Sequence, residues 1–225
     1  MTDISWAAVD NYLVDMLHSP DPVLDATQAA SVSAGLPPIS VSATQGKLLH
    51  LLARLRGAQN ILEIGTLAGY STIWMARALP QGGRLITLEM DPRHAEVAAA
   101  NIARAELSHV VDIRLGRAID LLPPLVAEGA APFDLIFIDA DKQSIPEYFT
   151  WALRLSRRGT LIIVDNVIRA GAVADADTTD AAVQGVRRFM EMVPTESRVS
   201  ATAIQTVGIK GHDGFAMVLV TDDVQ

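Results

Sequence analysis

Two strings carry the residue types best suited to chemistry. LIFIDADK ends a short apolar run with Asp139, Asp141 and Lys142, and LIIVDN ends the next with Asp165 and Asn166. If the two runs are neighbouring strands, two carboxylates and an amide oxygen converge at one sheet edge. All-oxygen donors suit a hard cation such as Mg²⁺, Mn²⁺ or Ca²⁺, with water or substrate oxygens completing six-fold coordination. A strand-end Asp is also a common loop cap, so neither alone is specific; the pair on consecutive runs is. Lys142, read by itself, is a solvated strand-end lysine.

A third string, LEIGTLAGYS, sets Glu63, Gly65, Thr66, Gly69 and Ser71 around the end of an earlier apolar run. Glycines there let the chain turn tightly from strand to helix and approach a ligand closely. Leu67 breaks the dinucleotide pattern G-x-G-x-x-G, and the G-K-[ST] of a phosphate-cradling loop is missing. Glu89 follows Gly65 by 24 positions, where a strand-end carboxylate accepts hydrogen bonds from ribose hydroxyls. Asp91 and Pro92 read instead as helix starters. Together these favour an adenosine-type ligand without a pyrophosphate, S-adenosylmethionine over NAD.

The elements that must hold these residues follow from the apolar pattern. Residues 3–18, 23–36 and 42–56 have helical periodicity, with Asp3 a candidate cap, Pro20 and Pro22 breaks, and Gly57 a stop. About the first 60 residues therefore form a helical extension. Beyond it, apolar runs at 61–64, 85–88, 110–115, 135–138 and 161–164 alternate with helix-like segments at 70–79, 91–105, 118–127 and 145–157. Continuous apolar strands alternating with helices imply a parallel sheet covered on both faces. After a helix at 178–193, the stretches 198–205 and 215–221, joined by TVGIKGHDG, predict an antiparallel hairpin. The expected fold is one α/β domain over residues 1–225. It is doubly wound and Rossmann-like, with a seven-stranded, mostly parallel sheet and an N-terminal helical extension.

The strings ILEIGTLAGYST, FIDADK and IVDNV, in this order, resemble the cation-dependent S-adenosylmethionine O-methyltransferases, which include the catechol and caffeoyl-CoA enzymes. The likeness runs from about Ile39 to the C-terminus; the D-A-D-K and D-N pairing is its specific part. The resemblance implies that Val41, Glu63, Gly65, Thr66, Gly69, Ser71, Glu89, Ala118, Asp139, Asp141 and Tyr148 serve the S-adenosylmethionine site. It assigns the metal to Asp139, Asp165 and Asn166, and the general base to Lys142. It also implies a small phenolic acceptor with vicinal hydroxyls, and a homodimer. Two departures stand out: Ile145 at the usual companion position of Tyr148, and Arg169 where relatives often carry Trp. Arg169 would offer a guanidinium to an anionic acceptor group, in a loop (167–178) that together with 206–214 lies where a lid would lie.

Composition narrows the alternatives. With 18 basic against 26 acidic residues the net charge is −8, which argues against broad phosphate neutralisation and a nucleic-acid partner. A hydroxylated nucleoside in RNA is thus a weaker acceptor reading. A nicotinamide-dependent reductase and a non-catalytic adenosine-ligand sensor are the other two; the second has no need of a metal set and a base. The absence of cysteine removes disulfides, thiolate nucleophiles and iron–sulfur ligation. The five histidines have no metal-ligand spacing, and only His212 is near enough to a lid segment to reach a substrate. No basic leader or membrane-length apolar run is present, so no membrane contact and a cytoplasmic location are expected.

Overall fold

The computed structural model describes residues 5–222. Three helices come first, α1 (Trp6–Leu17), α2 (Pro22–Ser33) and α3 (Ala43–Arg56). Ser5, Asp21 and Ser42 cap them, accepting the N–H groups of Ala8, Leu24 and Gln45 that have no partner inside the helix. Asp3, the expected cap, lies outside the described residues, and Ser5 fills that role. Pro22 begins α2 rather than breaking the chain, because its missing N–H is one the first turn does not need. Gly57 ends α3 at φ +63°.

Strands and helices then alternate: β1 (Asn60–Ile64), α4 (Tyr70–Ala76), β2 (Arg84–Glu89), α5 (Pro92–Arg104), β3 (Val111–Leu115), α6 (Ala118–Ala127), β4 (Phe133–Ile138), α7 (Ile145–Arg154), β5 (Ser156–Asp165) and α8 (Ala181–Met192). The chain finishes with β6 (Val199–Gly208) and β7 (Gly211–Val220). The sheet order is β3-β2-β1-β4-β5-β7-β6. The first five strands run parallel to one another, and β7 runs against both β5 and β6. Strand order reverses between β1 and β4, which opens a crevice beyond their carboxyl ends.

The hairpin strands are longer than expected. Most of TVGIKGHDG is paired, Gly208 facing Gly211, so only Ile209 and Lys210 remain as the turn. His212 therefore lies in β7 opposite Val207, with its Nε2 3.0 Å from Gln205 Oε1.

Alternating side chains bury both sheet faces. Leu62, Ile64, Ile136 and Ile138 pack beneath α6, α7 and α8, where Phe149 meets Phe189 edge-to-face at 5.1 Å. Ile61, Leu85, Leu135 and Phe137 pack on the other face with Leu49, Ile73, Met75 and Ile102. There α3 lies on α4, α2 touches α4 and α5, and α1 reaches β6. Asp21 and Arg77 pair across α2 and the end of α4. No described helix is long and apolar enough to cross a membrane.

Candidate active site

Gly65 closes β1 at φ +100°, and a Cβ there would stand 2.1 Å from the backbone oxygen of Asp139. Only glycine lets the ends of β1 and β4 come this close. Leu67 follows at φ +50°, so the loop turns left-handed without the glycine a dinucleotide fingerprint would use. Glu89, at the end of β2, holds this loop. Its Oε2 accepts the N–H groups of Leu67 at 2.8 Å and Thr66 at 3.2 Å, and its Oε1 that of Asp91 at 3.0 Å. Three acceptor sites are thereby used, leaving about one of the carboxylate's four for a ribose hydroxyl. Asp91 itself caps α5, as its position suggested.

These residues open onto a cavity of about 470 Å³. Val41, Gly65, Thr66, Ser71, Glu89, Ala118, Asp139, Asp141, Lys142, Tyr148, Asn166 and Arg169 all line it. Glu63 and Gly69 do not. Glu63 is fully buried, accepting hydroxyl hydrogens from Ser71, Thr72 and Thr87, and so anchors the start of α4 beneath the cavity wall. Burial without a cationic partner pushes its carboxyl up to about 7. Gly69 precedes α4 with φ +81° and faces Ala98 and Ile102.

A second cavity, of about 450 Å³, opens beside the first and shares Ile39, Ser40, Val41, Asn166 and Arg169 with it. Its other walls come from α1, α3 and the hairpin, through Asp10, Gln45, Lys210 and Asp213 among others. Polar contacts tie these distant segments together. Asp10 Oδ2 accepts the N–H of Ile209 at 2.7 Å, and Lys210 Nζ donates to the Pro38 carbonyl at 2.9 Å.

The two strings read first from the sequence meet between the cavities. Ile138 pairs with Val164 across β4 and β5, so Asp139 and Asp165 follow at adjacent strand ends. Lys142 Nζ donates to Asp139 Oδ1 at 2.8 Å, with only 10 % of its side chain exposed. Asp165 is buried; Gln45 Nε2 donates to its Oδ2 at 2.6 Å and the Asn166 N–H to its Oδ1 at 2.8 Å. Burial, reinforced by the Asp139 charge, raises its pKa well above the ordinary carboxylate range. Two carboxylates that repel each other beside an amide side chain form a donor set that a divalent cation fits. No group of three or more His, Asp or Glu side chains among the described residues is arranged to hold a metal ion, so the rest of such a shell would be oxygen from outside the carboxylates. Tyr148 donates to Asp141 Oδ1 at 2.5 Å, and burial followed by that carboxylate raises the phenol's pKa.

Several contributors had no sequence signal. Gln45 reaches Asp165 across 120 positions. His94, which belongs to no metal-ligand spacing, lines the first cavity with Nδ1 3.5 Å from Glu89 Oε1. Asp213 Oδ1 accepts the N–H groups of Ile168, Arg169 and Gly214 at 3.0–3.1 Å, fixing the loop after β5. His212 lines neither cavity.

Comparison with known proteins places this geometry. The family model described as O-methyltransferase matches residues 18–219. A catechol O-methyltransferase of Niastella koreensis is 59 % identical over 220 residues, 98 % of this chain and 100 % of its own. The O-methyltransferase of Bacillus cereus, solved in complex with SAH, is 55 % identical at a TM-score of 0.95, covering 96 % of this chain and 98 % of its own. TomG from Streptomyces achromogenes, an O-methyltransferase of tomaymycin synthesis solved with SAM, is 56 % identical at a TM-score of 0.93, covering 96 % and 97 %. A sheet of this order, a glycine turn held by a strand-end carboxylate and a match over most of its length agree: the chain belongs to the O-methyltransferase family.

Proposed function

We propose that the chain transfers a methyl group from S-adenosylmethionine to one hydroxyl of a small catechol, with a divalent cation held by Asp139, Asp165 and Asn166. The observation that carries this reading is the junction of two cavities at Val41, Asn166 and Arg169, beside the Asp139–Lys142 pair. The cavity of about 470 Å³ receives the methyl donor; Glu89 takes a ribose hydroxyl, and Gly65 gives the donor close access to backbone. The second cavity receives the acceptor.

When bound, Mg²⁺, Mn²⁺ or Ca²⁺ supplies positive charge that lowers the pKa of a chelated hydroxyl. Lys142 takes the hydroxyl proton at Nζ from its neutral form, which a cation held at Asp139 would favour by taking over that carboxylate and repelling the ammonium. Its position supports that role: Nζ stands beside Asp139 at the wall of the donor cavity, with only 10 % of the side chain exposed. The acceptor oxygen then attacks the methyl carbon in line with the departing sulfur, and the chain's main contribution is to hold the two partners at near-attack distance. Gln45 keeps the Asp165 carboxylate in one orientation by donating to Oδ2.

The same reading includes a homodimer formed through α1. That helix buries none of its residues and exposes Trp6, Val9, Tyr12, Met16 and Leu17 by 46–70 %, an apolar stripe that a second copy would cover.

The test is methyl transfer from labelled S-adenosylmethionine to a catechol panel, with Mg²⁺ and with EDTA. Turnover that stops with chelator and returns with added metal is the expected result. Turnover indifferent to chelator would remove the cation from the reading, and failure to bind S-adenosylmethionine would remove the donor.

A further inference from the structure

The second cavity carries five charged side chains: Asp10, Asp165, Arg169, Lys210 and Asp213. All three acids are engaged. Asp10 accepts a backbone N–H from the hairpin turn, Asp213 accepts two from the loop after β5 and one from its own strand, and Asp165 is held by Gln45 and Asn166. The two cations are differently placed. Neither Arg169 nor Lys210 forms an ion pair with a described carboxylate. Arg169 Nε is buried without a hydrogen-bond partner, a cost a native site offsets when a ligand accepts that hydrogen. Lys210 Nζ gives one of its three hydrogens to the Pro38 carbonyl and has the others to offer.

Arg169 is also held in place. Arg169, Ala170 and Gly171 are consecutive left-handed residues, at φ +55°, +55° and +89°. Backbone strain of this kind persists only where surrounding contacts enforce it. Here Asp213 enforces it by accepting the Arg169 N–H at 3.0 Å. Asp213 is therefore a positioning residue, and the side chain it positions lines both cavities.

We propose that the preferred acceptor is a catechol bearing a carboxylate, with the carboxylate recognised by the Arg169 guanidinium and the Lys210 ammonium. A planar guanidinium matches a carboxylate with two parallel hydrogen bonds, and a cavity of about 450 Å³ has room for a single-ring acid. Burial lowers the Lys210 pKa with no neighbouring acid acting against it, consistent with an ammonium that lacks its anion. The proposal rests on the catechol reading above and adds the charge of its substrate.

The test compares kcat/KM for 3,4-dihydroxybenzoate, 4-methylcatechol and dopamine, using the full chain with S-adenosylmethionine and Mg²⁺. The acid is expected to exceed the neutral catechol by about tenfold or more, with the amine last. The acid-to-neutral ratio should fall about tenfold in Arg169→Gln and severalfold in Lys210→Met. Far-ultraviolet circular dichroism and thermal unfolding check that each variant is folded. A wild-type ratio within about threefold of unity, or a ratio unchanged in both variants, overturns the proposal. Calorimetric binding of the acid and the neutral catechol to the S-adenosylhomocysteine-loaded protein is measured alongside. Preference for the acid that is lost in Arg169→Gln, without turnover of any catechol, would keep the anion site and sink the reaction. No preference in binding or turnover would sink the anion site, and catechol turnover would then still stand.

Discussion

Glu63 is a carboxyl group with three hydroxyl donors and no cation, in the apolar layer between β1 and α4. Its pKa stands at about 7 against an ordinary 4.5, so the folded chain keeps a proton that the unfolded chain releases. Stability from this group is complete below about pH 4.5 and is lost as pH rises through about 7; the loss amounts to about 3 kcal/mol. Glu63→Gln removes the ionisation. Urea unfolding at pH 5 and pH 8 should show a pH difference smaller by about that amount in the variant, and equal differences would contradict the assignment. The neighbouring metal candidates were legible in the sequence because Asp139, Asp165 and Asn166 stand directly after apolar runs, where a parallel sheet delivers its strand ends. Gln45 and Asp213 were not. Each acts on a residue far away in the chain, and only the closed fold brings the pair together. Glu63 was read as a ligand-site residue because it sits inside the glycine string, yet its alternation in β1 turns it toward α4 and away from the cavity.

At the scale of elements, the junction of β1 and β4 leaves no room for a side chain. Gly65→Ala puts a methyl group 2.1 Å from the Asp139 oxygen at a φ of +100°. Strand ends must part and the backbone is strained, together costing about 3 kcal/mol. Denaturant titration of the variant measures this, and a loss under about 1 kcal/mol would show that the two strand ends are not tightly coupled. Strand and helix order were read correctly because buried strands appear as unbroken apolar runs and helices begin at Ser42, Asp91 and similar caps. The hairpin was shortened because its glycines signal a turn. At the tip of the β6–β7 hairpin, Gly208 and Gly211 stay in register with no side chains to pack, and Asp10 fits against Gly208 where a Cβ would meet its carboxylate at 2.5 Å.

For the whole molecule, the apolar face of α1 sets the expected assembly. Light scattering should give the mass of two chains, and Tyr12→Asp combined with Met16→Asp should reduce it to one with unchanged helical content. A wild-type protein of single-chain mass would leave the exposed stripe without its partner. Periodicity predicted α1 but not this exposure, since an amphipathic pattern reads the same whether its apolar side meets a core or another subunit. The anchoring of Ile209 by Asp10 has a consequence for how the protein is made. All of the cavity assigned to the methyl donor is drawn from residues 39–169, so that part of the chain can assemble during synthesis. The acceptor cavity needs residue 10 and residues 206–215 together. It can take shape only after β6 and β7 have followed α1 out of the ribosome.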